Sequence, residues 1–434
     1  MNDQKNTILA IVLSAIVLFG WEYFYAAPQK QRQEALQRQA QTTQLQPGPQ
    51  STPQATPQPS PGAQPPAPTQ SGAPIPAEHR SREAIIASTE RIPIDTPRIK
   101  GSVALKGGRI DDVSLVQYHE TVDPNSPAIV LFSPSGSPHA YYSEFGWLTT
   151  AGATVKIPGP DTLWKQESSG SLGPEHPITL VYDTGEGLVF RRTIAVDDKY
   201  LFTLKDEVVN NGTTSVTLFP YGRISRVGTP PTSGYSILHE GIIGWLGEQG
   251  EQQVTYKTVE EKKDIPFNVT NAWMGFTDKY WAATLLPETG AHLEAHFLSG
   301  STGPEKTYQV DYRLDQQVIA PGTTGSAMGR VFAGAKEVAV VGINYWLGGI
   351  GGYDQQLHLN HFDLLIDWGW FYIITKPMFL VMDLIYRWIG NFGVAILMVT
   401  VLLKILFFPL ANKSYASMAK MKTVQPQMQA LRER

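Results

Sequence analysis

Residues 188–219 read LVFRRTIAVDDKYLFTLKDEVVNNGTTSVTLF. Leu188-Val189-Phe190 and Ile194-Ala195-Val196 are short apolar runs, and Asp197-Asp198 follows as a turn. Tyr200-Leu201-Phe202-Thr203-Leu204 resumes the apolar texture, Asn210-Asn211-Gly212 turns again, and Val216-Thr217-Leu218-Phe219 continues it. Short runs of β-branched and aromatic residues, punctuated by Asp, Asn and Gly, predict antiparallel strands joined by tight turns. The same texture extends from about Ile85 to Val341, and Ser102-Val103-Ala104-Leu105 meets Val113-Ser114-Leu115-Val116 across Gly107-Gly108. No internal repeat is visible. The expectation is one large antiparallel β-sandwich over residues 85–345.

Both flanks of this body point to lipid. Ile8 to Gly20 is apolar except for Ser14, and Trp21, Tyr23, Phe24 and Tyr25 suit a membrane–water interface. A cleaved signal peptide and a retained anchor both fit the apolar run. Tyr25 and Glu22 make a poor cleavage region before Ala27, so residues 1–27 are expected to stay as a transmembrane anchor. Twelve of the 32 prolines fall between Pro28 and Pro76, so residues 28–84 read as a Gln/Pro-rich flexible linker.

Beyond the sandwich, residues 346–367 form a connecting segment. Its Gly348-Gly349-Ile350-Gly351-Gly352 lacks the Lys-Ser/Thr of a phosphate loop and reads as a flexible joint. Residues 368–390 carry Lys376, Asp383 and Arg387 at i, i+7 and i+11, on one helical face. A spanning helix would bury all three charges. An amphipathic helix lying in the interface would bury none, and that is the expectation. Phe392 to Leu410 rises about 28 Å as a helix, so residues 391–411 are expected to cross the bilayer. In residues 412–434, Lys413, Lys420, Lys422, Arg432 and Arg434 stand against Glu433 alone. Met418, Met421, Val424, Met428 and Leu431 recur there at helical spacing, which predicts a basic amphipathic cytoplasmic helix; Arg434 reads as a truncation point. The basic tail places itself and the N-terminus in the cytoplasm and the β domain outside the cytoplasmic membrane, which is the periplasm in a bacterium with two membranes.

Composition bounds the function. The 434 residues are 42% hydrophobic with a mean hydropathy of -0.17, too polar for more than a few spans. A net charge of -4 gives no reason to expect nucleic acid binding. The absence of cysteine excludes disulfides, thiolate nucleophiles, iron–sulfur clusters and Cys-based zinc sites. No cofactor or metal is expected.

Lys404 is the candidate functional residue. A lysine at the centre of a membrane helix costs ~2.5–3.5 kcal/mol on insertion scales. It lies six residues from Leu410, so snorkelling to the headgroups is one reading. Thr400 sits one turn earlier on the same face, and Pro409 and Asn412 would let the helix end loosen. The other reading is therefore a polar stripe, Thr400 and Lys404, lining a wet cavity that opens to the cytoplasm and attracts acidic groups.

Gly390-Asn391-Phe392-Gly393, Thr400 to Lys404, Phe408-Pro409-Leu410, Ser417-Met418-Ala419-Lys420-Met421, Gln425-Pro426 and Ala430-Leu431-Arg432-Glu433-Arg434 together resemble the Oxa/YidC membrane protein insertase family. Met1-Asn2-Asp3-Gln4-Lys5-Asn6 before an apolar helix resembles it too. The resemblance implies a mixed membrane protein: anchor, supersandwich-like periplasmic domain, interfacial helix, second span and the start of a cytoplasmic helical hairpin. It implies further core helices around a hydrophilic groove, with Lys404 at the groove's charge position and Thr400 lining it. Nascent membrane proteins, the Sec translocon, the lipid bilayer and the ribosome are the implied partners, and the inner membrane is the implied location. An insertase needs no covalent chemistry, so no enzymatic activity is expected.

Two rival readings stand beside this one. An enzyme, suggested by the family sandwich's likeness to sugar mutarotases, would need His119, His139, His239 or Glu240 to converge in one cleft. A bitopic periplasmic scaffold or peptide/carbohydrate-binding module would use the aromatic stretch Trp273 to Trp281, with Phe276 and Tyr280, as its patch; that stretch reads better as a buried strand.

Overall fold

The structure is a computed structural model describing residues 80–232, 238–345, 348–369 and 371–432. The anchor expected at 1–27 and the linker up to residue 79 lie outside the described residues.

Among the described residues, two large antiparallel sheets share one hydrophobic core. The ten-stranded sheet runs in spatial order through Arg91–Asp95, Ile99–Ala104, Arg109–His119, Tyr141–Thr149, Val216–Val227, Glu305–Leu314, His292–Thr302 and Asp264–Thr270, with Ala128–Phe132 and Gln317–Ile319 attached beside it. The nine-stranded sheet runs through Glu251–Val254, Gly241–Leu246, Ala272–Thr277, Trp281–Leu285, Thr324–Ala335, Leu201–Asn210, Leu188–Val196, Ile178–Asp183 and Lys165–Gln166. The large antiparallel β domain is thus present. Leu188–Val196 pairs with Leu201–Asn210 in register from Leu188↔Asn210 to Val196↔Phe202. The chain then crosses to the other sheet, where Val216–Val227 pairs with Tyr141–Thr149.

Side chains alternate along these strands, so Leu188, Phe190, Arg192, Ile194 and Val196 all point inward. Arg192 is therefore a charge at a core position, 1% exposed. Its Nε and Nη2 each donate to Asp206 at 2.7 Å, across the strand pair. Nη1 also donates to the Gly108 carbonyl at 2.9 Å and Nη2 to the Phe145 carbonyl at 2.6 Å, both on the ten-stranded sheet's side. The guanidinium lies over the Trp164 ring at 5.2 Å. Gly108 has φ +60, and a Cβ there would stand 3.2 Å from Arg192 Nη1. A side chain at that turn would be both strained and in the guanidinium's way.

A second ionic cluster lies on the ten-stranded sheet. Glu144 accepts from Arg109 Nε at 2.5 Å, from the Tyr221 hydroxyl at 2.6 Å and from Arg223 Nη2. Burial alone would raise the Glu144 carboxyl, but Arg223 and Arg109 outweigh it and hold it at about 2. Asp311, directly opposite Arg223 in the neighbouring strand, is less well served. It is 0% exposed and its Oδ1 has no hydrogen-bond partner. Burial pushes its carboxyl up to about 7, against the hydrogen bond from Gln309 and the positive charges of His296 and Arg223.

The connecting segment differs from expectation. Gly348–Ile350 pairs with Ile343–Tyr345 as a hairpin, and Asp354 Oδ1 accepts from the Gly352 amide at 3.0 Å. A Cβ on Gly352 would stand 2.4 Å from the Gly342 nitrogen, and one on Gly342 (φ +100) 1.9 Å from Asp354 Oδ1. These glycines serve close backbone approach, so this stretch is a packed crossing and not a flexible joint. Phe362 and Leu365 further on belong to the core.

Arg192→Met in the whole chain should cost ~3–5 kcal/mol in denaturant unfolding, because Asp206 and two carbonyls lose their donor inside the body. A change under 1 kcal/mol would show that the tie carries no weight. Asp311 gives a pH prediction. Its folded carboxyl binds a proton more tightly than the unfolded one, so its contribution is most favourable at low pH and is lost as pH rises from about 4 to about 7. Asp311→Asn should therefore become progressively more stable than the parent over that window, by up to roughly 4 kcal/mol at the top. A difference that stays flat with pH would contradict this.

Candidate functional site

Two helices follow the β body. The short helix, Tyr372–Ile389, ends at Gly390, whose left-handed φ of 75° lets its amide donate back to the Tyr386 carbonyl at 2.7 Å. Asn391 then caps the long helix, Phe392–Arg432, by accepting from the Val394 amide at 3.2 Å. Gly390 and Asn391 thus reverse the chain in two residues, and Tyr386 meets Phe392 edge to face at 5.8 Å.

The long helix runs unbroken for 41 residues. It continues through Pro409. Phe392–Met421 is long and apolar enough to cross a membrane. Ala395 and Val399, one turn apart, are buried. Leu397, Ile405 and Phe408 are each more than 60% exposed, and so is Trp388 on the short helix. An apolar surface of this extent suits lipid or apolar partners, not water.

Thr400 and Lys404 lie on the outward side. Nine residues separate Ala395 from Lys404, which at ~100° per residue puts Lys404 about 180° from the buried Ala395. Lys404 is exposed, and among the described residues it makes no ion pair or hydrogen bond. Thr400 is exposed as well, and its hydroxyl donates to the Ile396 carbonyl at 2.8 Å. Its proton is satisfied within the helix while its lone pairs remain outward. The pair can present one cation and one acceptor to a passing chain.

The three charges of the short helix part company. Arg387 and Asp383 pair along the helix at 2.7 Å, with Arg387 58% exposed. Lys376 is only 6% exposed, so the helix does bury a charge, contrary to expectation. Its Nζ meets Asp363 at 2.5 Å, and Asp363 is itself 4% exposed. The pair removes the objection to burial, since each charge has its partner. Sequence reasoning missed Asp363; the signal was an acid thirteen residues before the lysine, with aromatic residues between.

The residues of the rival readings do not form one site. His119 Nδ1 lies 2.7 Å from the Ser126 carbonyl in an exposed loop. His139 has a left-handed backbone (φ 55) and sits against Gly228. His239 donates its amide to Asp367, and burial lowers its imidazole below the ordinary range. Trp273 and Phe276 are buried in the strand Ala272–Thr277, and of the stretch's aromatic residues only Tyr280 is strongly exposed, so it is core and not a patch.

Residues 91–381 match the family model described as YidC periplasmic domain. The chain belongs to the YidC family. Residues 384–434 match the model described as 60Kd inner membrane protein, which covers the long helix. The membrane protein insertase YidC of Bradyrhizobium diazoefficiens is 58% identical over 440 residues, spanning all of this chain and 70% of that protein. That of Nitrobacter hamburgensis is 58% identical over 434 residues, spanning all of this chain and 69% of the relative. The Rhizobium meliloti insertase is 43% identical over 438 residues. Among solved structures, a galactose mutarotase related enzyme from Lactobacillus acidophilus aligns with 56% of this chain and 97% of its own at a TM-score of 0.40 and 9% identity, a likeness that carries no argument here.

With no partner for its charge among the described residues, Lys404 should be a burden on the helix alone. Lys404→Met should make Phe392–Leu410 insert into a bilayer more favourably, by ~2–3 kcal/mol in a translocon insertion assay. Equal insertion of the two would mean that the lysine already reaches the headgroups at no cost.

Proposed function

We propose that this YidC-family chain is a membrane protein insertase and chaperone of the bacterial inner membrane, and that Lys404 is the working charge of its hydrophilic groove. The protein is not an enzyme. The observation that carries the groove reading is an exposed lysine, without an ion pair among the described residues, on the face of an apolar helix turned away from its packed partner.

An insertase lowers the cost of bringing a polar segment into lipid. Water around the Thr400–Lys404 stripe hydrates that segment, and Lys404 pairs transiently with its acidic groups. Pairing must be weak enough to release the client, which suits a lysine better than a preformed ion pair. The membrane potential adds roughly 2.3 kcal/mol per charge per 100 mV for an acidic segment moving outward. Lysine supplies charge without the bidentate fork of arginine, so the groove selects for charge and not for planar geometry.

In the same reading, residues 1–27 anchor the chain and residues 28–84 tether the β domain in the periplasm. The short helix lies in the outer interface with Phe371, Tyr372, Ile373 and Ile374 exposed toward lipid. Residues 391–411 cross the membrane as one wall of the groove, and the basic continuation enters the cytoplasm. Nascent membrane proteins are the clients, with the Sec translocon and the ribosome as partners.

Lys404→Glu in the intact protein should fail to rescue insertase-depleted cells at normal expression, while Lys404→Arg should rescue them. Normal growth with the glutamate variant would remove the groove charge from the mechanism. Crosslinking from position 404 to a nascent membrane protein gives the direct reading.

A further inference from the structure

The Lys376–Asp363 pair sits where the β body hands the chain to its membrane helices. Asp363 lies in the 3-10 turn Phe362–Leu365. Phe362 in that turn is 0% exposed and meets Trp273 at 5.2 Å and Phe332 at 5.9 Å, so the turn is part of the core. The Asn360 carbonyl accepts from Trp273 Nε1 at 2.9 Å, and His361 stacks on Trp245 at 4.0 Å. Asp363 is thereby fixed to the strands Gly241–Leu246, Ala272–Thr277 and Thr324–Ala335.

On the other side, Lys376 lies in the second turn of the short helix. Its ammonium also lies over Trp368 at 5.7 Å and Tyr372 at 5.8 Å. Trp368 Nε1 donates to the Asp363 carbonyl at 2.9 Å, and the Trp368 carbonyl accepts from Thr375 at 2.8 Å. Asp367 Oδ2 accepts from the His239 amide at 3.0 Å. The helix entry is therefore tied to the body by one buried ion pair and a ring of hydrogen bonds around it. Downstream, the two-residue turn at Gly390 and Asn391 carries that orientation to the long helix.

We infer that the Asp363–Lys376 pair is a clamp that fixes the direction of the helical hairpin relative to the β domain, making both residues positioning residues for Lys404. This rests on the insertase reading of the hairpin. The clamp acts at the outer interface, where a charged pair facing lipid would otherwise snorkel apart. Burial between aromatic rings removes that alternative, and breaking one partner leaves the other charged and desolvated.

The chain has no cysteine, so two can be placed cleanly at Ser301 on the β body and Ser414 on the long helix, both exposed. Spin labels there, with the full chain in nanodiscs, should give one narrow distance distribution. Lys376→Met should broaden or shift it, and Lys376→Arg should restore it. Insertion in cells by the intact protein should fall roughly 2- to 30-fold in the methionine variant, the span expected of a residue that acts through coupling alone. Should the methionine variant unfold the β body by circular dichroism, the charge-swapped double variant Asp363→Lys, Lys376→Asp rebuilds the ion pair and should recover the narrow distribution. An unchanged distribution with Lys376→Met, or a charge-swapped variant that stays broad, overturns the clamp. The distance is read without client insertion, so loss of the clamp and loss of the insertase reading give different results.

Discussion

One buried guanidinium binds groups on both sheets. Arg192 binds a carboxylate on its own sheet and two backbone carbonyls on the ten-stranded sheet's side. Apolar contacts between sheets are non-directional and would tolerate sliding. Four hydrogen bonds from a planar, rigid donor do not, because each carbonyl would be left buried and unpaired by a shift of an ångström or two. The turn at Gly108 and the strands that carry Phe145 and Asp206 are therefore held in one relation, and everything built on either sheet inherits it.

The membrane hairpin inherits it through a second buried charge pair of the same kind. Arg192 fixes sheet to sheet, and Lys376 fixes the short helix to the nine-stranded sheet's aromatic strands by way of Asp363. In both places an ion pair sits against tryptophan and is completed by backbone carbonyls or side-chain donors. Such pairs add little net stability over apolar packing, yet each allows a single arrangement. That suits a β body that holds an apolar helical hairpin in a set direction.

Strands were legible because alternation survives in sequence. Phe190, Arg192 and Ile194 stand two residues apart, so the inward position of Arg192 could be read, but not the carbonyls it reaches 84 and 47 residues earlier. The glycine run around 348–352 was misread because composition reports conformational freedom and not how closely Gly352 approaches Gly342. Helical spacing grouped Lys376 with Asp383 and Arg387, correctly as a face and wrongly as an environment. Tertiary packing took the first charge into the body and left the other two outside. Thr400 and Lys404 share a face by spacing alone. That this face is turned away from the packed side of the helix could not be read before Ala395 and Val399 were known to be buried.

The two lysines of the hairpin show why one position is structural and the other is free to act. Lys376 is buried, stacked over two rings and paired, so its charge is already spent on orientation. Lys404 has the same side chain within the apolar stretch Phe392–Met421, with exposure and without an ion pair among the described residues. Natural helices retain an unpaired charge at such depth only against a standing cost in insertion. Stability selects against that lysine and packing does not require it. Under the insertase reading proposed above, a charge kept on those terms is answered by something that comes and goes, a transient acidic client that leaves it unpaired in between.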